Sequence, residues 1–409
     1  MGACSSSGDY DDENQDSGKV PKKDGGTSDV KDASQQKPDQ GTIIVPDAPQ
    51  SDFDRPGMKL TGKVLSPSGT IPISGALVYL TKEEPDGIPD EAYHYECDSM
   101  SNMLYTFSEP DGTWTLPHAP YDNWKIVTRK GNFRRIRPLS VTEGMSPTIP
   151  DETTSLPGKN SSDLSDRVPN FAVPDSEWDY VYNLLAKFGM GEVNSEGVLV
   201  RGTESFDYFP EDSSTPTFLQ DLAEIKHYHM VFLPCVNNAS VSSDTPEILR
   251  NYISLGGRVY GTCYAIRTVH DAFNQYFSGD TRKAYDTRGA ILDEDMRKWL
   301  QIVLARDPSA VDFLHSYAQI SSVSDIPDGH GLPSDDGTVK PKVWVRDLEE
   351  NPGQPLIITF NYDNGKVFYS TYETSKPERN LTPQEYVLIY LILEVGVCHN
   401  LPPPPPVPK

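Results

Sequence analysis

Between residues 167 and 399, short apolar runs alternate with helical patterns, and that alternation points to a mostly parallel sheet whose crossovers are helices. Trp178, Val181, Leu185 and Phe188 recur on one helical face behind Asp175 or Ser176 as cap, and Gly189 is the stop signal. Residues 230–233 read as a buried strand. Asp244 or Thr245 caps the next helix, Pro246 lies in its first turn, Leu249, Tyr252 and Ile253 form its apolar face, and Gly256-Gly257 end it. Residues 258–261 and 366–370 are further strands. Thr382-Pro383-Gln384-Glu385 has the form of a capping box that opens a helix over 386–395.

A different pattern fills 58–148. Short alternating runs at 60–65, 76–80 and 113–116 are separated by Pro67-Ser68-Gly69 and Pro110-Asp111-Gly112, which reads as an antiparallel sandwich. Arg129-Lys130-Gly131-Asn132-Phe133-Arg134-Arg135-Ile136-Arg137 is a basic island, expected to be a solvated edge strand whose charges block edge-to-edge pairing, with a polyanion-binding patch as the sharper reading. Before residue 57 the chain is polar and acidic, and too poor in apolar residues to offset its ordering entropy. The expected division is therefore a disordered acidic tether over 1–57, a β-sandwich over 58–148, a linker over 149–166, an α/β domain over 167–399 and a proline-rich tail over 400–409.

Sixty acidic residues against 36 basic ones give a formal charge of −24, so phosphate polyanions are repelled. Nucleic acid and anionic membrane surfaces are thereby discounted as partners. The apolar run at 386–395 is about half of the ~20 residues that a bilayer crossing needs, so no membrane span is expected. Cys4, Cys97, Cys235, Cys263 and Cys398 show no metal-ligand spacing, which argues against structural zinc, and no cofactor motif is evident.

Gly2-Ala3-Cys4-Ser5-Ser6-Ser7 resembles the end of a bacterial lipobox, which implies an acylated Cys4, an outer-membrane anchor and membrane contact through that lipid alone. Met1-Gly2 with Ser6 also satisfies a myristoylation pattern, and a chance match is a third reading. Thr61-Gly62-Lys63-Val64, Ile73-Ser74-Gly75-Ala76-Leu77-Val78 and Asp111-Gly112-Thr113-Trp114 resemble the carboxypeptidase regulatory-like (transthyretin-like) domain. That resemblance implies an all-β prealbumin-like sandwich with an accessory role. Tyr228-His229-Met230-Val231-Phe232-Leu233-Pro234-Cys235, Leu255-Gly256-Gly257-Arg258-Val259-Tyr260-Gly261-Thr262-Cys263 and Gly365-Lys366-Val367-Phe368-Tyr369-Ser370-Thr371 resemble the class I glutamine amidotransferase-like family, which includes the ThuA-like proteins. A flavodoxin-like α/β fold is implied. The combination resembles myxobacterial lipoproteins that join the two domains.

In those amidotransferases the nucleophile is a cysteine in a Gly-x-Cys-x-Gly turn between strand and helix. Gly261-Thr262-Cys263-Tyr264-Ala265 nearly fits, so Cys263 is the candidate nucleophile, but Ala265 stands at the second glycine, where such a turn is expected to tolerate a side chain poorly. The family's histidine has its counterpart near Glu373, and a carboxylate there would raise a neighbouring thiol's pKa rather than lower it. His227 and His229 precede a strand, and His270 is about two helical turns past Cys263, so none is placed to serve as base. Two other readings of Cys263 stay open: a small buried residue, or a partner of Cys235 in a disulfide or redox pair, since consecutive strands often neighbour each other. Thr262, Tyr264, Cys235 and Tyr372 are the expected lining of the pocket. The expected function is a cell-envelope binding or structural module with a degenerate pocket and an envelope protein or glycan as partner. A Cys263-dependent hydrolase and a carbohydrate-handling protein are the alternatives.

Overall fold

The computed structural model describes residues 55–94, 100, 103–210, 217–235, 242–324, 340–374 and 378–394. Cys4, Cys97, Cys398, nearly all of the tether and the proline-rich tail lie outside these residues. Two antiparallel sheets come first. Strand β1 (Gly57–Lys63) pairs with β4 (Thr113–Pro120), while β2 (Leu77–Thr81), β3 (Leu104–Phe107), β5 (Asp122–Lys130) and β6 (Phe133–Val141) form a four-stranded sheet in the order β3-β2-β5-β6. Leu60, Trp114 and Leu116 from the first sheet, with Val64 just past β1, share a core with Val78, Leu80, Trp124 and Ile126 from the second.

The short helix α1 (Asp151–Thr154) is tied back to this region. Thr154 Oγ1 donates to the Lys63 carbonyl at 2.7 Å and receives the Trp114 indole N–H at 3.4 Å.

The remaining elements are β7 (Phe171–Pro174), α2 (Val181–Leu185), β8 (Asp207–Phe209), α3 (Leu222–Ile225), β9 (Met230–Leu233), α4 (Thr245–Ser254), β10 (Arg258–Thr262), α5 (Ile266–Phe273), β11 (Phe277–Ile291), α6 (Glu294–Leu304), β12 (Ala310–Val323), β13 (Lys342–Asp347), β14 (Pro355–Tyr362), β15 (Gly365–Ser370) and α7 (Pro383–Glu394). Their strands make one nine-stranded sheet ordered β12-β11-β13-β14-β15-β10-β9-β7-β8. From β8 to β15 all neighbours are parallel; from β15 to β12 all are antiparallel. The parallel half gives Met230, Phe232, Tyr260 and Phe368 to one core cluster and Val231, Val259, Val367 and Tyr369 to another, because successive side chains of a strand point to opposite faces.

Local signals set the start of α7 and the end of α4. In α7 the Thr382 N–H donates to Glu385 Oε2 at 2.7 Å and the Glu385 N–H to Thr382 Oγ1 at 3.3 Å, the reciprocal pair of a capping box. After α4 the chain turns through Gly256 at φ +100°, where a Cβ would stand 2.1 Å from the Tyr93 carbonyl oxygen, so only glycine serves.

Two sequence expectations need correction. The helix expected from Trp178 onward is confined to α2 and a wide turn over Ala186–Met190, and Trp178 precedes it at 37% exposure. Val181, Leu185 and Phe188 are buried as expected, but the Ser176 hydroxyl accepts the Trp178 and Asp179 N–H groups and holds a turn there instead of helix. The basic island, in turn, is not simply a solvated edge. Lys130 and Arg134 are buried, Lys130 pairs with Glu394 at 2.6 Å, and Arg137 bonds both Asp166 oxygens at 2.8 and 2.9 Å. Lys130 is held by Glu394, and the Arg134 guanidinium by the Asp86 carbonyl oxygen through one of its nitrogens; internal partners of this kind let a charge persist so deep. Among the described residues no helix is long and apolar enough to cross a membrane.

Candidate functional site

Four consecutive parallel strands deliver one residue each to a single cluster. Asp179 follows β7, Cys235 follows β9, Cys263 follows β10 and Glu373 follows β15. In strand order β8-β7-β9-β10-β15 the connection reverses direction between β7 and β9, and open α/β sheets place their sites outside the carboxyl ends of the strands at such a reversal.

Cys263 opens the turn between β10 and α5 and holds φ at +50°, a left-handed conformation uncommon for a residue with a Cβ. A sharp strand-to-helix turn of this kind is how elbow nucleophiles are displayed. Ala265, two residues on, has φ −61° and ψ −7°, ordinary helical values. The methyl group is therefore accommodated, contrary to the expectation that this turn would resist a side chain.

The thiol is not displayed, however. Cys263 is fully buried and its sulfur is bonded to Cys235, with the two Cα atoms 5.1 Å apart, inside the usual disulfide range. The bond closes a separation of 28 residues, which in the chain-entropy account stabilises the fold by about 3 to 4 kcal/mol. A sulfur of each cysteine and a carboxylate oxygen of Glu373 lie within 4.8 Å of one another, and no described histidine belongs to the group.

Asp179 lies under this cluster, fully buried. Its Oδ1 accepts the Thr374 N–H at 3.0 Å and the Thr374 hydroxyl at 2.7 Å; its Oδ2 accepts the Cys235 N–H at 3.3 Å and the Thr262 hydroxyl. One carboxylate thus joins the ends of β9, β10 and β15. Burial pushes its pKa up, and the four hydrogen bonds oppose that shift. Glu373 is 4% exposed, and burial followed by the charge of Asp179 pushes its pKa up to about 9. At neutral pH it is a carboxylic acid, so the thiol-raising carboxylate expected at this position is instead uncharged. Among the described residues its Oε2 has no hydrogen-bond partner.

The other expected lining residues divide. Thr262 is buried at the end of β10 and bonded to Asp179. Tyr264 is half-buried in the turn and stacks on Tyr317 with ring centroids 5.7 Å apart. Tyr372 is buried against Phe313, at 4.3 Å between centroids.

The histidines lie elsewhere. His229 is buried at the amino end of β9, where Nδ1 accepts the Asn170 N–H at 2.8 Å and Nε2 is 2.8 Å from the Pro89 carbonyl oxygen; burial lowers its pKa to about 4. His227 lines a cleft of about 580 Å³ at that same end, with Lys159, Asn170, Glu204, Asp207 and Tyr228. This cleft opens at the sheet edge opposite the cysteines. His270 rests edge-on against Phe277 at 5.6 Å.

Asp179 and Thr374 had no sequence signal. An acid three residues after a serine looks like any helix-start acid, and only the sheet order brings it beneath residues 235 and 263.

No protein-family model matches the chain, and no curated protein matches its sequence. Among solved structures it is similar to the cytoplasmic protein STM3548 from Salmonella typhimurium, with 11% identity and TM-score 0.34 over 56% of this chain and 99% of that one. A ThuA-like protein from Parabacteroides merdae shows 13% identity and TM-score 0.35 over 57% and 95%. For a β-galactosidase from Bacillus circulans sp. alkalophilus the figures are 12% and 0.32, over 56% of this chain and 32% of that one. At such scores the likenesses bear on neither substrate nor activity.

Proposed function

We propose that the chain is a binding or structural module of the bacterial cell envelope, anchored through Cys4, in which a prealbumin-like sandwich precedes a flavodoxin-like, amidotransferase-like domain whose elbow is closed by a disulfide. The carrying observation is that the sulfur at the nucleophile's place is bonded to Cys235 and buried beside an uncharged Glu373 instead of a base. An oxidising compartment such as the periplasm sustains that bond. Its partner is an envelope protein or a glycan, the latter resting on the ThuA-like sequence resemblance alone.

Iodoacetamide labelling of the native protein, mapped by mass spectrometry, tests this reading. Cys263 and Cys235 stay unlabelled until a reductant is added and then label together, and Cys4 carries an acyl chain. Labelling of Cys263 without reductant overturns the closed elbow, and an unmodified Cys4 overturns the anchor.

A second reading has one observation in its favour, the φ of +50° at Cys263, which is the backbone of a displayed nucleophile. Under that reading reduction frees a hydrolase. Labelling of the reduced protein well below pH 7 that vanishes in Cys263→Ser marks the activated thiolate it requires.

A further inference from the structure

Once the disulfide is opened, three donors remain in one place. A sulfur of Cys235, a sulfur of Cys263 and a carboxylate oxygen of Glu373 lie within 4.8 Å of one another, all buried. Donor atoms around a tetrahedral zinc or cadmium ion stand roughly 3.5 to 4 Å apart, given metal–ligand bonds of about 2.0 to 2.3 Å, so small side-chain movements suffice. Each donor sits at the end of a different, hydrogen-bonded strand, and Asp179 ties those ends together through the Cys235 N–H and the Thr262 and Thr374 hydroxyls. The frame is therefore built before any ion arrives.

A second feature points to a ligand independently of the cysteines. Glu373 Oε2 is buried with no hydrogen-bond partner among the described residues, in a side chain only 4% exposed. An unpaired buried carboxyl oxygen carries its full desolvation cost and is rare in folded proteins, which makes a bound ion one of its natural explanations. Two thiolates and one carboxylate favour a soft or borderline dication; magnesium and calcium prefer all-oxygen shells.

We propose that the reduced form of this site binds one thiophilic divalent cation, of the zinc or cadmium class, through Cys235 Sγ, Cys263 Sγ and Glu373. Metal occupancy is then gated by oxidation. A dithiol reductant supplies two electrons and two protons, leaves as its own cyclic disulfide and converts the Cys235–Cys263 bond into two thiols. The cation then displaces two thiol protons and the Glu373 carboxyl proton, giving a site with net charge one unit negative. Oxidation to the disulfide removes two of the three donors and releases the ion. This inference rests on the reading of the elbow as a disulfide-closed redox pair.

The test uses the full chain carrying Cys4→Ser, Cys97→Ser and Cys398→Ser, so that only the paired cysteines remain, with Cd²⁺ as probe. Equilibrium dialysis and the sulfur-to-cadmium charge-transfer band in the ultraviolet are read in parallel. The reduced protein takes up one equivalent and shows the band, while the oxidised protein shows neither. Glu373→Gln, which leaves both cysteines in place, weakens binding at least about tenfold, as loss of a positioned donor does. Absence of uptake by the reduced protein overturns the proposal, and so does an unchanged affinity in Glu373→Gln. Zero uptake together with reductant-dependent labelling of both cysteines removes the metal site and leaves the closed elbow standing.

Discussion

Glu373 shows what burial does to a single ionisable group. Its pKa is raised from 4.5 to about 9, so the folded protein holds a proton that the unfolded chain releases above about 4.5. The associated stability is present below the unfolded value and is lost as pH rises through the folded one. Wild-type unfolding free energy therefore falls between about pH 4.5 and about pH 9 more than that of Glu373→Gln, whose amide does not titrate. Urea unfolding of both proteins across that window checks the difference; parallel curves would mean that Glu373 ionises in the fold as it does in water. Asp179, also buried, is held by a different route. Burial raises its pKa too, but four hydrogen-bond donors surround the carboxyl and oppose that shift.

Among the elements, α7 is pinned at both ends. Its capping box supplies the amino end, and Glu385 also pairs with Lys187 at 3.1 Å where both side chains are nearly inaccessible. The other end is held through Glu394 and Lys130. The two cap residues are thus unequal. Thr382→Ala removes one cap and costs about 1 kcal/mol. Glu385→Ala removes the reciprocal cap and also strands a buried ammonium, so its cost is about 3 to 5 kcal/mol. Denaturant midpoints at unchanged m-value measure both. Equal costs would show that the Lys187 pair contributes nothing beyond capping. Strand β10 has a comparable place in the sheet, because its pairing with β9 and β15 is what aligns Cys263 with Cys235 on one side and Glu373 on the other.

At the level of the whole molecule, the β-sheets of the first segment and the α/β segment bury their apolar faces in one cluster. Phe133 from β6 packs edge-on against Phe171 of β7 at 6.4 Å and against Phe188 at 5.9 Å. The Trp299 indole of α6 donates to the Pro72 carbonyl at 2.7 Å, and Arg258 Nη1 to Asn132 Oδ1 at 3.1 Å. A shared core makes unfolding cooperative across the seam. Far-UV circular dichroism and tryptophan fluorescence are expected to report one coincident transition, and Phe133→Ala to lower its midpoint by the equivalent of about 3 to 5 kcal/mol without splitting it. Two separated transitions would show that the seam is weaker than either side.

The local chemistry of this chain is legible without a structure. The short apolar runs at 230–233, 258–261 and 366–370 are strands β9, β10 and β15, Gly256 stops α4 because only glycine adopts its φ, and Thr382 with Glu385 caps α7, since each of these depends on residues a few positions apart. The same locality carries the reading as far as a cysteine in an elbow between β10 and α5. It stops there for a physical reason. Whether Cys263 is displayed or bonded depends on Cys235, 28 residues earlier, and whether Glu373 is charged depends on burial and on Asp179 nearly two hundred positions away. Sheet order sets those distances, and it is decided by which apolar faces can be covered together. The sequence alone determined those strands, the end of α4 and the start of α7; the tertiary structure alone decided how the sheet extends through β11 to β14, which donors share a site and which of them hold a proton.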